Sequence, residues 1–257
     1  MLYKVLGLGA LAISGAAAAK PTTAHYRVDQ TIEQVLDASA VGGKEERQRF
    51  TVSTYLTITL NDSAGGRALH VVVDSMRGDS ATPVPKAILD SARGTALHGF
   101  VAAGGRLDTI APVRETPLAP QLTGVVRQLF PKVRSGVKVG DGWADTTEST
   151  SPAGGGSMAI KRITNYKATG SEARNGVKAT KIETTFTASV NGVQQTPNGP
   201  ANIEGKGTGN EAYYLGPDGL YLGGTSVQNS KLTISGKFAP KPLPVSLTES
   251  FTVSTLK

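Results

Sequence analysis

The residues that most often carry chemistry are few and widely spaced in this chain. The three histidines are His25, His70 and His98, and none belongs to a metal-binding pair such as His-Glu-x-x-His. His70 and Asp74 fall on one face of a predicted strand, as a general base and its orienting carboxylate would. Four residues of extended chain hold them roughly 13 Å apart, which is too far for direct contact. We therefore interpret both as polar residues on the solvent face of that strand.

Other sequence signals exclude several enzyme classes. The chain lacks the Gly-x-Ser-x-Gly segment of α/β-hydrolases and contains no cysteine for a nucleophile or a thiolate zinc site. The glycines of GKGTGN (205–210) resemble a phosphate-binding loop, but no Lys-Ser/Thr pair follows them, so a glycine-bent strand is the better interpretation. Asp141 and Asp145 flank Trp143 without the ligand loop of a calcium site. We expect a protein that is not an enzyme and has no metal and no cofactor.

Three segments alternate apolar and polar residues in the way that predicts half-buried strands. They are FTVSTYLTITL (50–60), TKIETTFTASV (180–190) and VSLTESFTVST (245–255). A further strand is predicted over 25–38, and several more follow Trp143, separated by glycine-containing turns. Roughly ten to twelve strands are expected in total, well above the ordinary share.

Two segments predict helices. Residues 84–93 follow Pro83 and end before Gly94. Residues 118–130 place Leu122, Val126 and other apolar residues three and four positions apart, and Pro131 blocks continuation. The second helix either covers a cavity or packs as an ordinary helix on the sheet.

These elements predict a mainly β fold: a strongly curved antiparallel sheet or incomplete barrel, with two helices packed on its concave side. A two-sheet sandwich is the alternative. We expect a single β-rich domain over residues 25–257, with two lobes meeting near residues 131–142 as the other arrangement. Residues 151–157 and 194–202 are expected to form long loops.

The N-terminal segment has the form of a secretory signal peptide. Lys4 precedes an apolar run and then the alanines that end at Ala19, which predicts a signal peptide over residues 1–19. Ala24 offers a second cleavage position. The apolar run is shorter than the ~20 residues of a membrane span. We therefore expect a periplasmic or secreted protein that does not span the membrane after cleavage.

The charge balance is basic, but it points to no particular partner. Lys and Arg total 27 against 20 for Asp and Glu, and the basic residues are dispersed along the chain. Such a pattern is typical of a solvated surface. An exported chain with 5% aromatic residues is not expected to bind nucleic acid.

Polar residues interrupt three predicted apolar faces and suggest a ligand site. Either these residues line a cavity, or a bulge turns them outward. Trp143, after the Gly-Asp-Gly turn, acts either as a structural contact between the second helix and the C-terminal sheet or as a ligand-stacking ring. The candidate ligand-binding residues are Thr54, Leu122, Val126, Trp143, Thr184 and Glu249.

Several phrases of the second half, residues 120–257, resemble an uncharacterised family of secreted bacterial proteins. These are LFP followed by GVKVGDGW, then GKGTGNEAYYL, DGLYLGG and the terminal LPVSLTESFTVSTLK; in that family a Val-Gly-Asp-x-Trp phrase opens the second half. The resemblance implies no catalytic residues. The layout is also similar to the half-barrel folds of periplasmic lipoprotein carriers and mycobacterial lipid-binding lipoproteins, although this chain has no cysteine for lipidation.

The expected function is therefore that of an exported envelope protein that binds an apolar or amphipathic ligand, such as a lipid or a lipoprotein acyl chain. The alternative is a structural or interaction protein that contacts another envelope protein or a wall polymer without a small-molecule ligand.

Overall fold

The computed structural model describes residues 21–256 except residues 104, 132, 134, 135, 154, 175, 198, 218 and 238. The predicted signal peptide lies outside the described residues. Two helices and a 3-10 turn occur among the described residues: α1 (Lys86–Ser91), α2 (Ala119–Gln128) and the turn Ser39–Val41. The strands are β1 (Thr22–Asp37), β2 (Glu45–Ser63), β3 (Gly66–Gly78), β4 (Ala96–Ala102), β5 (Leu107–Pro112), β6 (Gly142–Ala153), β7 (Gly156–Arg174), β8 (Val177–Thr196), β9 (Gly199–Leu215), β10 (Tyr221–Gly236) and β11 (Ala239–Leu256).

All of these strands belong to one antiparallel sheet in the order β5-β4-β3-β2-β1-β11-β10-β9-β8-β7-β6. Consecutive strands pair within each half of the sheet, β3 and β4 through a connection that contains α1, and β1 pairs with β11 to join the two halves. The two edge strands, β5 and β6, are not paired with each other, so the sheet is not closed into a barrel. The predicted mainly β fold with an open antiparallel sheet is confirmed. A two-sheet sandwich is not what the described residues form.

The alternation predicted over residues 50–60 gives the sheet one buried face. On β2, Val52, Leu56 and Ile58 are almost completely buried, whereas Ser53, Tyr55 and Thr57 on the opposite face are half-buried. Thr54 follows the same alternation and is 2% exposed, so no bulge turns it outward. We call this buried side of the sheet the inner face.

The inner face is concave because the two edges of the sheet approach one another. Leu107 of β5 and Thr147 of β6, which lie at opposite edges, line the same cavity. The β4–β5 turn at Gly105 also lies so close to the β9–β10 turn at Gly219 that a Cβ added at either glycine would contact the other turn. A flat sheet of this width would hold these elements far apart.

Both helices pack on the inner face. Leu122 and Val126 of α2 are fully buried in one hydrophobic core with Tyr26 and Leu56, and α1 inserts Leu89 into the same core. α2 has Pro120 in its first turn, where no intrahelical N–H is needed, and it ends before Pro131. The predicted helix positions are confirmed with slightly shorter bounds. α2 is also the connection between the two edge strands.

The predicted glycine-bent strand is β9. Gly205, Gly207 and Gly209 occupy alternate positions on its inner face. The ring of Phe186 lies over Gly209, so close that a Cβ there would clash with it. The glycines therefore let neighbouring side chains fold across the strand.

The expectation of long loops at 151–157 and 194–202 is wrong. β6 continues to Ala153 and β7 starts at Gly156, while β8 continues to Thr196 and β9 starts at Gly199. Glycine at both turns permits a tight reversal, so most of these polar residues extend the hairpins.

Replacing Leu122 by alanine tests whether α2 belongs to the core. We expect L122A to lower the free energy of unfolding by about 2–5 kcal/mol, because a fully buried leucine leaves a cavity. Gln121→Ala, at the adjacent exposed position, should change it by less than about 0.5 kcal/mol. Urea denaturation measures both, and equal midpoints for the two variants would contradict the packing of α2.

Candidate functional site

A cavity of about 360 Å³ lies between the C-terminal end of α2 and the inner face of the second half of the sheet. We call it the inner cavity. Phe130, Phe251 and Val253 supply apolar walls, and Arg162 and Glu211 supply polar groups on the sheet. Two larger clefts, of about 710 and 970 Å³, are lined mainly by turn residues and by exposed residues around α1. The inner cavity combines apolar walls with a half-buried pair of opposite charges.

Arg162 and Glu211 form an ion pair across the inner face. The Nη2 of Arg162 on β7 donates to Oε1 of Glu211 on β9 at 2.7 Å, reaching across β8. Thr184, directly opposite Glu211 on β8, donates to the other carboxylate oxygen at 3.0 Å. The two charged side chains are 30% and 23% exposed. Each charge therefore has a partner in a partly desolvated place.

The guanidinium of Arg162 is also held by its neighbours. Its central carbon lies 3.5 Å from the centroid of the Phe186 ring, and its Nε donates to Thr164 Oγ1 at 3.2 Å. Stacking on an aromatic face and several directed hydrogen bonds fix the plane of a guanidinium. The guanidinium of Arg162 is thus held in one orientation in the lining of the cavity.

Tyr213 has a buried hydroxyl group without a hydrogen-bond partner among the described residues. Its side chain lines the inner cavity and is 3% exposed, and its Oη makes no hydrogen bond to any described residue. Burial raises the pKa of the Tyr213 hydroxyl far above its ordinary value of 10, and the charge of Glu211 contributes in the same direction. The hydroxyl therefore keeps its proton and can donate a hydrogen bond.

Trp143 lies next to the cavity, behind the lining residue Tyr166. Its ring stacks on Tyr166, with centroids 4.9 Å apart and planes 4° apart, and Tyr166 lines the cavity. Trp143 also packs against the hydrophobic core, as the structural interpretation of this residue predicts. The sole tryptophan is thus separated from the cavity by one ring.

The structure divides the predicted site residues into three groups. Thr184 and Trp143 flank the inner cavity. Thr54, Leu122 and Val126 are almost completely buried in the hydrophobic core; the residues of α2 and its C-terminal connection that line the cavity are Arg127, Gln128, Phe130 and Pro131. Glu249 lies further along the inner face.

Glu249 lies on the inner face of the sheet, on β11, as the interrupted apolar pattern predicts. It is paired in register with Ile32 on β1 and Gln228 on β10, and the side-chain amide of Gln30 donates to it. Burial raises the pKa of the Glu249 carboxyl above its ordinary value, and the hydrogen bond from Gln30 opposes this shift. No cation pairs with it among the described residues.

Sequence spacing missed a histidine pair on the outer face. His70 and His98 are directly opposite each other on β3 and β4, and their Nδ1 atoms are 3.3 Å apart. Asp74 instead accepts a hydrogen bond from Thr57, consistent with its predicted distance from His70. The described residues contain no group of three or more histidine, aspartate or glutamate side chains that could hold a metal ion.

Comparison with known proteins gives no family for this chain. No known family model matches it, and no curated protein has a significantly similar sequence. Within the part of the chain that the structure describes, no helix has the length and apolar character needed to cross a bilayer.

Replacing Glu249 by glutamine tests its buried charge. Because folding raises the pKa of this carboxyl, its unfavourable contribution to stability is absent below the ordinary pKa of 4.5 and complete above the raised value. We expect E249Q to raise the melting temperature by a few degrees at pH 7 and to have little effect near pH 4.

Glu183→Gln is the matched control for this experiment, because Lys181 lowers the pKa of the exposed Glu183 carboxyl. It should leave stability at pH 7 unchanged or slightly lower. Thermal unfolding followed by circular dichroism measures both variants. A destabilised E249Q at pH 7 would show that the charged form is favoured in the fold.

Proposed function

We propose that this protein is an exported, non-enzymatic envelope protein that binds an apolar or amphipathic ligand, such as a lipid or the acyl chain of a lipoprotein. The observation that supports this proposal is the inner cavity. Its volume of about 360 Å³ lies in the range of small-molecule sites, roughly 300–1,000 Å³. Its apolar walls suit a hydrocarbon chain, and the polar groups of Arg162 and Glu211 in its lining suit a head group.

The inner face beyond the cavity offers a path for a longer chain. Half-buried apolar side chains continue along it, next to the glycines of β9. They are Val190, Ile203, Leu232, Ile234 and Leu247. Apolar side chains that remain partly exposed on a concave face favour an additional apolar occupant.

Export is supported by the N-terminal sequence, and the first strand favours one cleavage position. β1 begins at Thr22, and Thr22 to Ala24 pair with residues near the end of β2. Cleavage after Ala19 leaves β1 intact, whereas cleavage after Ala24 would remove paired residues. We propose the first position and a periplasmic or secreted location.

The fold-level likeness to half-barrel lipoprotein carriers adds limited support. An open antiparallel sheet with helices on its concave face is the layout that the likeness implies. Because one fold serves many functions, the cavity and its side chains weigh more than the architecture.

A second candidate function is contact with another envelope protein or a wall polymer. β5 and β6 each have a single neighbour in the sheet, so each presents an edge that no other described strand pairs with. Free strand edges are sites at which another chain can add a strand.

Native mass spectrometry of protein purified without detergent from the exported fraction tests the first proposal. We expect a reproducible added mass that organic solvent extracts as lipid. A clean apo mass, with a partner retained after cross-linking, would favour the second candidate instead.

A cavity-filling variant provides the matched control. Ser226 faces the inner cavity on β10, and Val227 beside it is exposed on the outer face. We expect Ser226→Phe to lose most of the added mass and Val227→Phe to retain it. Equal retention by both variants would place the ligand outside the inner cavity.

A further inference from the structure

The outer face of the sheet carries two histidines that contact each other across neighbouring strands. His70 on β3 and His98 on β4 are directly opposite in register, and their Nδ1 atoms lie 3.3 Å apart. Their ring centroids are 4.8 Å apart and their planes are tilted by 32°. His70 is half-buried and His98 is exposed, so the pair is open to solvent. The pairing of two rigid strands, rather than a loop, sets this spacing.

A hydrogen bond between the two rings makes poor use of their nitrogens. A neutral imidazole has one N–H and one lone pair, so one ring must donate from Nδ1 while the other accepts. The separation of 3.3 Å is at the long end for an N–H donor. Neither ring has another hydrogen bond or ion pair with the residues that the structure describes. Both Nδ1 atoms are therefore available to a stronger partner.

The same separation suits a metal ion bound to both rings. Bonds from Zn²⁺ to imidazole are about 2.0–2.1 Å long, and a tetrahedral angle between two of them places the nitrogens about 3.3–3.4 Å apart. The 3.3 Å between His70 and His98 agrees with this distance. Each ring would carry its proton on Nε2 and offer the lone pair of Nδ1. Imidazole suits Zn²⁺, Cu²⁺ and Ni²⁺, whereas Mg²⁺ and Ca²⁺ prefer oxygen ligands.

The outer-face residues around the pair are small or apolar and carry no charge. Those that flank the histidines along β3 and β4, or lie opposite them on β2 and β5, are Ala68, Val72, Ala96, Phe100, Thr59 and Ala111. This set contains no cation that would repel a metal ion. It also contains no carboxylate that would compete for the rings. The pair is thus accessible to an ion from solvent.

We infer that His70 and His98 together bind one divalent transition-metal ion, such as Zn²⁺ or Cu²⁺, through their Nδ1 atoms. No third histidine or carboxylate joins them in the described part of the chain, so water fills the remaining coordination positions. The site is on the face of the sheet opposite the inner cavity and is independent of the proposed acyl ligand. It departs from the expectation, drawn from the sequence, of a protein without a metal, because only the register of β3 and β4 creates it.

Isothermal titration calorimetry of the untagged protein, treated with EDTA and dialysed to pH 7.5, tests this site. We expect one Zn²⁺ ion to bind per chain and Cu²⁺ to bind more tightly, in the Irving–Williams order. MgCl₂ should not compete with either ion. His70→Ala and His98→Ala should each weaken Zn²⁺ binding at least about tenfold, because the ion keeps only one of its two linked ligands.

His25→Ala is the matched control, because His25 is the remaining histidine of the chain. It lies on β1, and its Nδ1 contacts the hydroxyl of Thr57 at 2.9 Å instead of a second ring. We expect H25A to bind Zn²⁺ as tightly as the unchanged protein does. Loss of binding in H25A, or in only one variant of the pair, would overturn the two-histidine site.

Nuclear magnetic resonance of the imidazole nitrogens identifies the ligand atoms. We expect saturating Zn²⁺ to shift the Nδ1 resonances of His70 and His98 and to leave those of His25 unchanged. Two rings that only stack on each other would show no such change. Shifts at Nε2 instead of Nδ1 would contradict the proposed geometry.

The ion should also stabilise the fold, since the two histidines are 28 residues apart in the chain and meet only when β3 and β4 pair. We expect saturating ZnCl₂ to raise the melting temperature of the unchanged protein by a few degrees. The double variant H70A/H98A should show no rise. Both positions lie outside the hydrophobic core, so this variant should still fold. No rise in the unchanged protein, or an equal rise in both, would overturn the site.

Discussion

An open sheet with a concave apolar face must shield that face from water, and the rest of this structure depends on how it does so. The edge strands β5 and β6 do not pair, so closure into a barrel does not provide the shielding. α2 joins these edges, but its 10 residues span only about 15 Å. A strand such as β8, with 20 residues, extends for about 66 Å. The helix therefore covers one part of the inner face and leaves the remainder to other side chains and, as we propose, to a ligand.

The polar groups in the lining of the cavity are difficult to explain by stability alone. A partly buried ion pair contributes little compared with apolar residues of the same volume. Arg162 and Glu211 are nevertheless placed together, with the guanidinium fixed over Phe186. Recognition of a ligand gives this arrangement a physical reason that packing does not.

Local sequence patterns predict the elements of this fold well. The alternation around Val52 and Leu56 predicts β2 and its buried face, and the spacing of Leu122 and Val126 predicts α2. Thr184 and Glu249 are found in the same way, because a polar residue inside an apolar pattern is visible in the sequence. The strand order and the cross-strand partners need long-range pairing, which no local pattern encodes.

The central pair of the site could not be found from the sequence for a related reason. Arg162 is on the inner face of β7, but the apolar Ile163 beside it points outward and is 43% exposed, so the alternation there is misleading. Glu211 lies two strands away, and the distance between them depends on the register of both hairpins. The same dependence on register hides the His70–His98 pair.

The central claim is that an acyl chain lies against the inner face beside α2, and the sole tryptophan can test it directly. Trp143 stacks on Tyr166, which lines the cavity, so a bromine atom on a bound chain would quench its fluorescence only at short range. We expect the methyl ester of dibromostearate to quench Trp143 strongly in the delipidated protein and methyl stearate to leave it almost unchanged. Equal fluorescence with both esters, at concentrations where binding is saturated, would contradict the claim.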